Sequence, residues 1–234
     1  TRNDVPQVRN ETEQNFFISG FSPMTREERK RLLLLEPNHD RTPRYCEKCK
    51  CYKPPRAHHS TFYGRCVFRY DHYCVWLNNT IGHMNHRFFY LFLFYTVTCW
   101  IYFTSASALA LYNLAKSGQV EHPISFILLL MYAVFMSPMG FLVSLFFLWQ
   151  TWLLLTNQTS VEFYINGDIK GRITKAKSRS KIDNHLDFLN IYSTTFSNNI
   201  ATVLGAEWKL WFIPTARVNV GDGIRFKTVS DERI

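Results

Sequence analysis

Two long apolar stretches divide the chain. Residues 88–114 contain no Asp, Glu, Lys, Arg or His, and residues 123–161 contain none either. Each stretch is longer than the ~20 residues with which an α-helix crosses a bilayer, and a core helix of a soluble domain rarely continues so far without a polar stripe. The pattern therefore predicts transmembrane helices over residues 88–114 and 123–156 of a mainly α-helical membrane protein. Pro138 lies near the middle of the second stretch and predicts a kink there.

The polar segments around these helices predict three further regions. Residues 1–40 are irregular apart from a short helix, which begins at a capping box formed by Thr25 and Glu28 and stops before Pro37. Residues 115–122 form a short link between the two spans, and residues 157–234 form a C-terminal region. Within that region, a group of aromatic residues resembles a membrane-interface anchor: Trp208, Trp211 and Phe212.

Positive charge is concentrated on the flanks and sets the expected orientation. The 234 residues carry a formal net charge of +9, with 27 Lys and Arg. Of these, 15 lie in residues 1–87, 11 lie in residues 162–234, and one lies in the link. The positive-inside rule then places both flanks in the cytosol and the link on the far side. A nucleic-acid-binding protein is disfavoured, because topology accounts for the basic residues and no base-reading helix pattern accompanies them.

Cysteine and histidine are concentrated just before the first span, where residues 41–87 hold five of the six cysteines. A reducing cytosol disfavours disulfides, so we expect a metal ion, and not a large core, to order this loop-rich block. The spacing Cys46-x2-Cys49 is the first half of a zinc knuckle, and His59 with Cys66 completes a Cys3His set. On spacing alone, two other residues compete as ligands, namely Cys51 and His58.

A second constellation, Asp71-His72-Tyr73-Cys74, lies shortly before the first apolar stretch. In an extended backbone, His72 and Cys74 lie on one face of the strand and Tyr73 lies on the other. An imidazole beside a thiol can take up its proton, and a carboxylate can fix the imidazole tautomer. Asp71, His72 and Cys74 are therefore predicted to form a nucleophilic site at the membrane surface. Such a site suits a substrate with an apolar tail and a soluble head.

Together, these residues resemble the cysteine-rich domain of DHHC protein S-acyltransferases, in the fungal subgroup whose signature reads Asp-His-Tyr-Cys. The matching residues lie between positions 41 and 213: Cys46-x2-Cys49, Lys53-Pro54-Pro55-Arg56-Ala57-His58-His59, Arg65-Cys66-Val67, Asp71-His72-Tyr73-Cys74-Val75-Trp76, Asn78-Asn79-Thr80-Ile81-Gly82, Asn85, Phe88-Phe89, Thr159-Ser160-Val161-Glu162, Asn190-Ile191-Tyr192, Asn199 and Val203-Leu204-Gly205. Family members usually have four spans. The resemblance implies that this chain holds the third and fourth, with the first two upstream of Thr1.

The resemblance also implies roles for single residues. Cys74 would be the nucleophile and His72 its base, while Asp71 orients the base and Trp76 lies near the mouth of the acyl-chain site. Structural support is implied for four residues beyond the second span: Ser160, Glu162, Tyr192 and Asn199. Of these, Ser160 would contact Asp71, and Tyr192 and Asn199 would help to dock the C-terminal region.

One departure from the family pattern changes the expected metal content. The family builds two Cys3His zinc sites, of which the first maps onto Cys46, Cys49, His59 and Cys66. The second would map onto four residues that are not suitable zinc ligands: Ser60, Tyr63, Tyr73 and Thr80. We therefore expect one structural zinc ion per chain, with aromatic packing and hydroxyl hydrogen bonds at the second position.

The implied activity is transfer of a palmitoyl or other long-chain acyl group from acyl-CoA to protein cysteines, through a thioester on Cys74. The expected partners are palmitoyl-CoA, the lipid bilayer and membrane-associated proteins with cytosolic cysteines. We expect a multi-pass protein of an endomembrane or the plasma membrane, with its active site facing the cytosol. The alternative is a zinc-stabilised membrane adaptor or pseudoenzyme. Loss of the second metal site favours that alternative, whereas the intact Asp71, His72 and Cys74 oppose it. The sequence does not identify the protein substrates or an accessory subunit.

Overall fold

The computed structural model describes residues 25–36, 43–118, 123–177, 190–214, 218 and 220–232. Helix α1 spans Arg26–Leu33. Its N-cap is Thr25, whose side-chain oxygen accepts a hydrogen bond from the Glu28 N–H at 3.2 Å, as the capping pattern predicts. The remainder of the predicted N-terminal segment, residues 1–24 and 37–40, lies outside the described residues.

Three short antiparallel hairpins form the cysteine-rich block. Strands β1 (Tyr45–Cys46) and β2 (Cys51–Tyr52) form the first, β3 (His58–Ser60) and β4 (Arg65–Val67) the second, and β5 (His72–Cys74) and β6 (Asn79–Ile81) the third. Isolated two-stranded hairpins have little stability of their own. Each hairpin must therefore be held by contacts to the others, to a metal ion or to the helices.

Two helices are long and apolar enough to cross a membrane, judged by length and composition. Helix α2 spans His86–Ser117 and has a mean hydropathy of 1.4 in its most apolar window. The second helical run spans Pro123–Leu155, with a corresponding mean hydropathy of 2.2. None of that second window is buried inside the chain. An apolar surface of this length favours lipid over water as its surroundings.

The second run is not a uniform α-helix. It consists of α3 (Pro123–Met131), a π-helical stretch (Tyr132–Met136) and α4 (Ser137–Leu155). The irregularity therefore begins before Pro138, where the missing proline N–H disrupts the regular hydrogen-bond pattern. Gly140 lies against the Trp100 ring of α2, and a Cβ at that position would come within 1.8 Å of it. The predicted kink site is thus also a place where the two spans are in close contact.

The C-terminal region packs back onto both spans. It contains α5 (Ser160–Lys177) and α6 (Phe196–Leu204), followed by short 3-10 turns at Trp208–Leu210 and Val229–Glu232. Side chains of α2, α4 and α6 form one buried cluster: Tyr90, Leu154, Ile200, Val203 and Leu204. Among the expected interface aromatics, Trp208 and Phe212 are exposed, and the Trp211 indole N–H donates to the Gly205 carbonyl at 2.8 Å.

Residues 220–232 pack against one side of the cysteine-rich block. Ile224 is buried in a cluster with Ala57 and Phe68, against which Leu32 and Leu33 of α1 also pack. Helix α1 and residues 220–232 therefore hold the block from one side. Its other side meets the start of α2 and the end of α4, where the predicted catalytic residues lie.

Candidate active site and metal centre

Two hairpins bring four ligand side chains together. Cys46 and Cys49 lie at the start and in the turn of the first hairpin, and the register of the second pairs His59 directly with Cys66. The ligand atoms of all four residues lie within 4.8 Å of one another. This group is therefore able to hold a metal ion. The distances from the His59 Nδ1 are 3.2 Å to the Cys49 Sγ and 3.6 Å to the Cys46 Sγ.

These distances fit a small tetrahedral site. With Zn–S near 2.3 Å and Zn–N near 2.0–2.1 Å, two ligands on a tetrahedron are separated by about 3.6 Å. The rival ligands are not part of the group. Cys51 pairs with Cys46 across the first hairpin, but its sulfur is not among the clustered ligand atoms. His58 is the strand neighbour of His59, so its side chain points to the opposite face. Cys46, Cys49, His59 and Cys66 are thus the residues that would hold zinc, which would order the two hairpins.

The four residues at the positions expected for a second zinc site make three kinds of contact. The Ser60 and Thr80 hydroxyls are both buried and hydrogen-bonded to each other at 3.0 Å, which joins the second hairpin to the third. The Tyr73 ring stacks on Phe62 with a centroid distance of 3.7 Å and an interplanar angle of 5°. Tyr63 remains exposed, and its ring lies 4.8 Å from the Arg65 guanidinium carbon. A hydroxyl pair and an aromatic stack therefore connect the two hairpins at the positions that the sequence resemblance assigned to a second zinc site.

The predicted nucleophile lies on the third hairpin. His72 and Cys74 occupy alternate positions of β5, so they share a face of the strand, as predicted for an extended segment. The His72 ring meets Phe89 of α2 edge-on at 5.0 Å, and the buried Cys74 belongs to a cluster that contains the same phenylalanine. Phe89 therefore places both side chains at the first turns of the first apolar helix.

Asp71 is fully buried and accepts three hydrogen bonds. The His72 Nδ1 lies 2.5 Å from its Oδ2, the Ser160 N–H donates to its Oδ1 at 2.6 Å, and the Ser160 hydroxyl donates to its Oδ2 at 3.2 Å. Burial alone would raise the pKa of this carboxyl. The hydrogen bond from His72, the neighbouring His86 and the Ser160 N–H outweigh burial and lower the pKa to about 2. The ionised Asp71 thus holds a proton on His72 Nδ1 and leaves Nε2 as the basic nitrogen.

A buried ion pair fixes the segment that carries Ser160. Arg56 donates from Nε and Nη2 to the two carboxylate oxygens of Glu162, at 2.6 and 2.8 Å. Glu162 also accepts the Thr159 N–H at 3.0 Å. Burial alone would raise the pKa of Glu162, but the adjacent Arg56 lowers it. The first turn of α5 is thereby held against the cysteine-rich block, where Ser160 can reach Asp71.

The sequence did not indicate the polar centre behind this ion pair. Arg56 and Arg69 are both buried, and the Asn157 Oδ1 accepts from each, at 3.0 and 3.4 Å. The Asn157 Nδ2 donates to the Tyr192 carbonyl at 2.9 Å, and its backbone lies in the left-handed region with φ 48°. Asparagine tolerates that conformation better than most residues. No local sequence pattern reports such a junction, because its members come from three separate segments.

Glu36, just after α1, is a second junction that the sequence did not indicate. Its carboxylate accepts from the Tyr192 hydroxyl at 2.6 Å, from the Arg44 Nη2 at 2.5 Å and from the Arg56 N–H at 2.9 Å. Burial raises the pKa of the Tyr192 phenol, so the hydroxyl stays a donor. Tyr192 therefore connects the C-terminal region to the N-terminal segment and to Arg56, whose guanidinium carbon lies 4.4 Å from its ring centre.

The remaining predicted residues lie at the edges of the site. The Asn199 Nδ2 donates to the Leu155 carbonyl at 2.7 Å, and its Oδ1 accepts from the Thr194 N–H at 3.0 Å. It therefore connects α6 to the end of α4. Trp76 lies in the turn between β5 and β6 and is 83% exposed, so its place in an acyl-chain site stays a prediction.

Comparison with known proteins concerns the segment that contains the Asp71–Cys74 hairpin and the metal-ligand group. The family model described as DHHC palmitoyltransferase matches residues 39–167, which is more than half of the chain. The chain belongs to the DHHC palmitoyltransferase family. The resemblance drawn from the sequence motifs is thus confirmed.

Relatives from plants, animals and fungi carry matching names. The chain is 30% identical over 190 residues to "Probable protein S-acyltransferase 16" of Arabidopsis thaliana, which covers 80% of this chain and 63% of that protein. It is 31% identical over 186 residues to palmitoyltransferase ZDHHC2 of Homo sapiens, and the match covers 79% of this chain and 46% of that protein. It is 30% identical over 177 residues to palmitoyltransferase PFA3 of Candida albicans, and the match covers 73% of this chain and 47% of that protein. The chain therefore spans about half to two thirds of the length of these DHHC relatives.

Proposed function

We propose that the protein is an S-acyltransferase that moves a long-chain acyl group, such as palmitoyl, from acyl-CoA to cysteines of other proteins. The observation that carries this proposal is the Asp71–His72 hydrogen bond of 2.5 Å beside Cys74, on a hairpin that packs against the first turns of an apolar helix. A nucleophile at the end of an apolar helix is suited to substrates that have an apolar chain and a polar head. The names of the relatives point to the same activity.

The first half-reaction loads the enzyme. His72 Nε2 takes the proton of the Cys74 thiol, and the thiolate attacks the carbonyl carbon of the acyl-CoA thioester. The bond between that carbon and the CoA sulfur breaks, and the CoA thiolate takes the proton back from the imidazolium. Asp71 stabilises the imidazolium while it exists. The product is a thioester on Cys74.

The second half-reaction repeats the same steps with a different thiol. A substrate cysteine loses its proton to His72, attacks the Cys74 thioester and releases the Cys74 thiolate, which recovers the proton. One thioester is exchanged for another in each step, so the sequence needs no separate energy source. A structural zinc ion held by Cys46, Cys49, His59 and Cys66 would order the hairpins and would not take part in the chemistry.

We infer a topology in which both flanks lie in the cytosol, the two apolar helices are the third and fourth of four spans, and residues 115–122 form the far-side link. The division of Lys and Arg supports this arrangement, with 26 of 27 on the two flanks. Glycosylation sites inserted near Gly118 should be modified, and sites near Arg2 or Ser230 should not. The opposite pattern would contradict the two-span topology.

The activity itself is tested with the full-length protein in detergent, palmitoyl-CoA and a membrane-tethered peptide that carries one cysteine. Wild type should release CoA and acylate the peptide, and Cys74→Ser should do neither. A wild-type protein that releases no CoA and acylates no peptide would favour the adaptor or pseudoenzyme, for which the described residues offer no specific support.

A further inference from the structure

Gln150 is a buried polar residue of α4 that neither the sequence motifs nor the proposed chemistry accounts for. It lies near the cytosolic end of the second apolar run and is 2% exposed. Its Nε2 lies 3.4 Å from the hydroxyl of Ser160. Its Oε1 is buried and has no hydrogen-bond partner among the described residues.

The chemistry of the neighbours fixes the direction of each hydrogen bond. The ionised Asp71 can only accept, so the Ser160 hydroxyl, at 3.2 Å, must give its proton to the Asp71 Oδ2. The Ser160 oxygen is then free to accept, and the Gln150 amide must present its N–H side to it. Because the N–H side of the amide faces Ser160, the Gln150 Oε1 is the atom left without a partner among the described residues. The amide orientation thus follows from the network around Asp71.

The Oε1 of Gln150, which has no partner among the described residues, is an unfavourable feature of a glutamine at this position. A buried amide oxygen without a partner costs free energy, whereas an apolar side chain of the same length would cost none. Most of its neighbours on α4 are apolar, such as Phe146 and Phe147. The buried Oε1 of this glutamine is therefore unfavourable, while its Nε2 donates to the hydroxyl of Ser160, the residue that hydrogen-bonds to Asp71.

We infer that Gln150 is a positioning residue, which keeps the Ser160 hydroxyl proton on Asp71 and so helps to hold the His72 tautomer. This inference rests on the proposed acyl transfer through Cys74. The connection runs from Gln150 Nε2 to Ser160 Oγ, from Ser160 Oγ to Asp71 Oδ2, and from Asp71 to His72 Nδ1. It joins a membrane-spanning helix to the catalytic pair.

Two substitutions separate this role from a structural one. Gln150→Met keeps the length and removes the donor. We expect acylation of Cys74 to slow roughly 3- to 10-fold, the range for loss of one modest hydrogen bond, while the melting temperature stays equal or rises. A residue needed only for packing would give the opposite result, with lower stability and a rate per folded molecule that does not change.

Gln150→Glu makes the effect depend on pH. In its ionised form, the introduced carboxylate would accept the Ser160 proton and draw it away from Asp71. In its protonated form, the introduced carboxyl would donate to the Ser160 oxygen as the amide does. Among the described residues, the titratable and charged groups that interact with Asp71 are Tyr70, His72, His86 and Arg69, and all four are also present in wild type. Because protonation restores the donor, the rate of the variant, relative to wild type, should rise as pH falls from 8 to 6.

The assay measures hydroxylamine-labile label from palmitoyl-CoA on full-length protein, with folded protein quantified in each sample. Ser144→Ala is the matched control, because Ser144 is another polar residue of α4, and among the described residues its hydroxyl donates to the Gly140 carbonyl of the same helix at 2.8 Å. It should label at the wild-type rate. The inference would be overturned if Gln150→Met acquires label at a rate within twofold of wild type. It would also be overturned if the rate of Gln150→Glu, relative to wild type, does not change with pH. Absence of label on wild type would instead overturn the proposed function on which it rests.

Discussion

Replacing Asp71 with asparagine removes one negative charge while it keeps the shape of the side chain. The asparagine oxygen can still accept from the Ser160 N–H, but its amide N–H then faces the His72 Nδ1–H. Two donors cannot pair, so the His72 proton moves to Nε2 and Nδ1 becomes an acceptor. The nitrogen that should deprotonate Cys74 then carries a proton. We expect acylation of Cys74 to slow by roughly 10²- to 10⁴-fold, the range for loss of a positioned base.

The same substitution has a cost in stability that depends on pH. The pKa of Asp71 falls from an ordinary value of 3.8 to about 2 in the folded protein, which corresponds to about 2 kcal/mol in favour of the folded state. Because the folded pKa is the lower one, this contribution is fully present at neutral pH. It is lost as pH falls through about 4 towards 2. The difference in unfolding free energy between wild type and Asp71→Asn should therefore shrink as pH falls from about 4 towards 2.

The assay compares label per folded molecule with thermal unfolding for both proteins. Asp222→Asn is the control, since Asp222 is another aspartate that accepts backbone N–H bonds, from Ile224 and Arg225, far from Cys74 in the chain. It should label like wild type. The reasoning about the tautomer is refuted if Asp71→Asn stays folded and labels at a rate within threefold of wild type.

Three further predictions concern the supports of the site. Elemental analysis should find one zinc per chain, and Cys49→Ala should lose both zinc and acylation; two zincs would show that the ligand assignment is wrong. Thr80→Val removes the hydroxyl that pairs with the buried Ser60, whose oxygen keeps the hydrogen bond from the Tyr63 N–H, and should lower unfolding free energy by about 0.5–1.5 kcal/mol, less than Cys49→Ala; an unchanged melting temperature would contradict this. Arg56→Met leaves Glu162 buried without its cation and should cost about 3–5 kcal/mol, so a loss below about 1 kcal/mol in thermal unfolding would refute the pairing.

Local patterns predicted the elements whose causes are local. The capping of α1 by Thr25 depends on residues three apart, and the apolar spans depend only on composition along one helix. The shared face of His72 and Cys74 follows from alternation along one extended segment. The choice between His58 and His59, which the spacing left open, needed the pairing of β3 with β4. The sequence was thus sufficient within one turn or one strand, but not for the register of a hairpin.

The polar centre of the site has a different origin. Asn157, Glu36 and Gln150 each join segments that are far apart in the chain, and an isolated polar residue carries no periodic signal of its own. The sequence also predicted a kink at Pro138, whereas the structure places a π-helical stretch in the turn before it. Nearby, Gly140 lies against the Trp100 ring, a contact between the two spans that no local pattern reports.

The most direct test of the account is to locate the acyl group. Full-length protein is incubated with palmitoyl-CoA and digested, and the peptides are analysed by mass spectrometry before and after hydroxylamine. The account predicts an acyl group on the peptide that contains Cys74, removed by hydroxylamine and absent from Cys74→Ser. An acyl group found on another cysteine, and unaffected by Cys74→Ser, would contradict it.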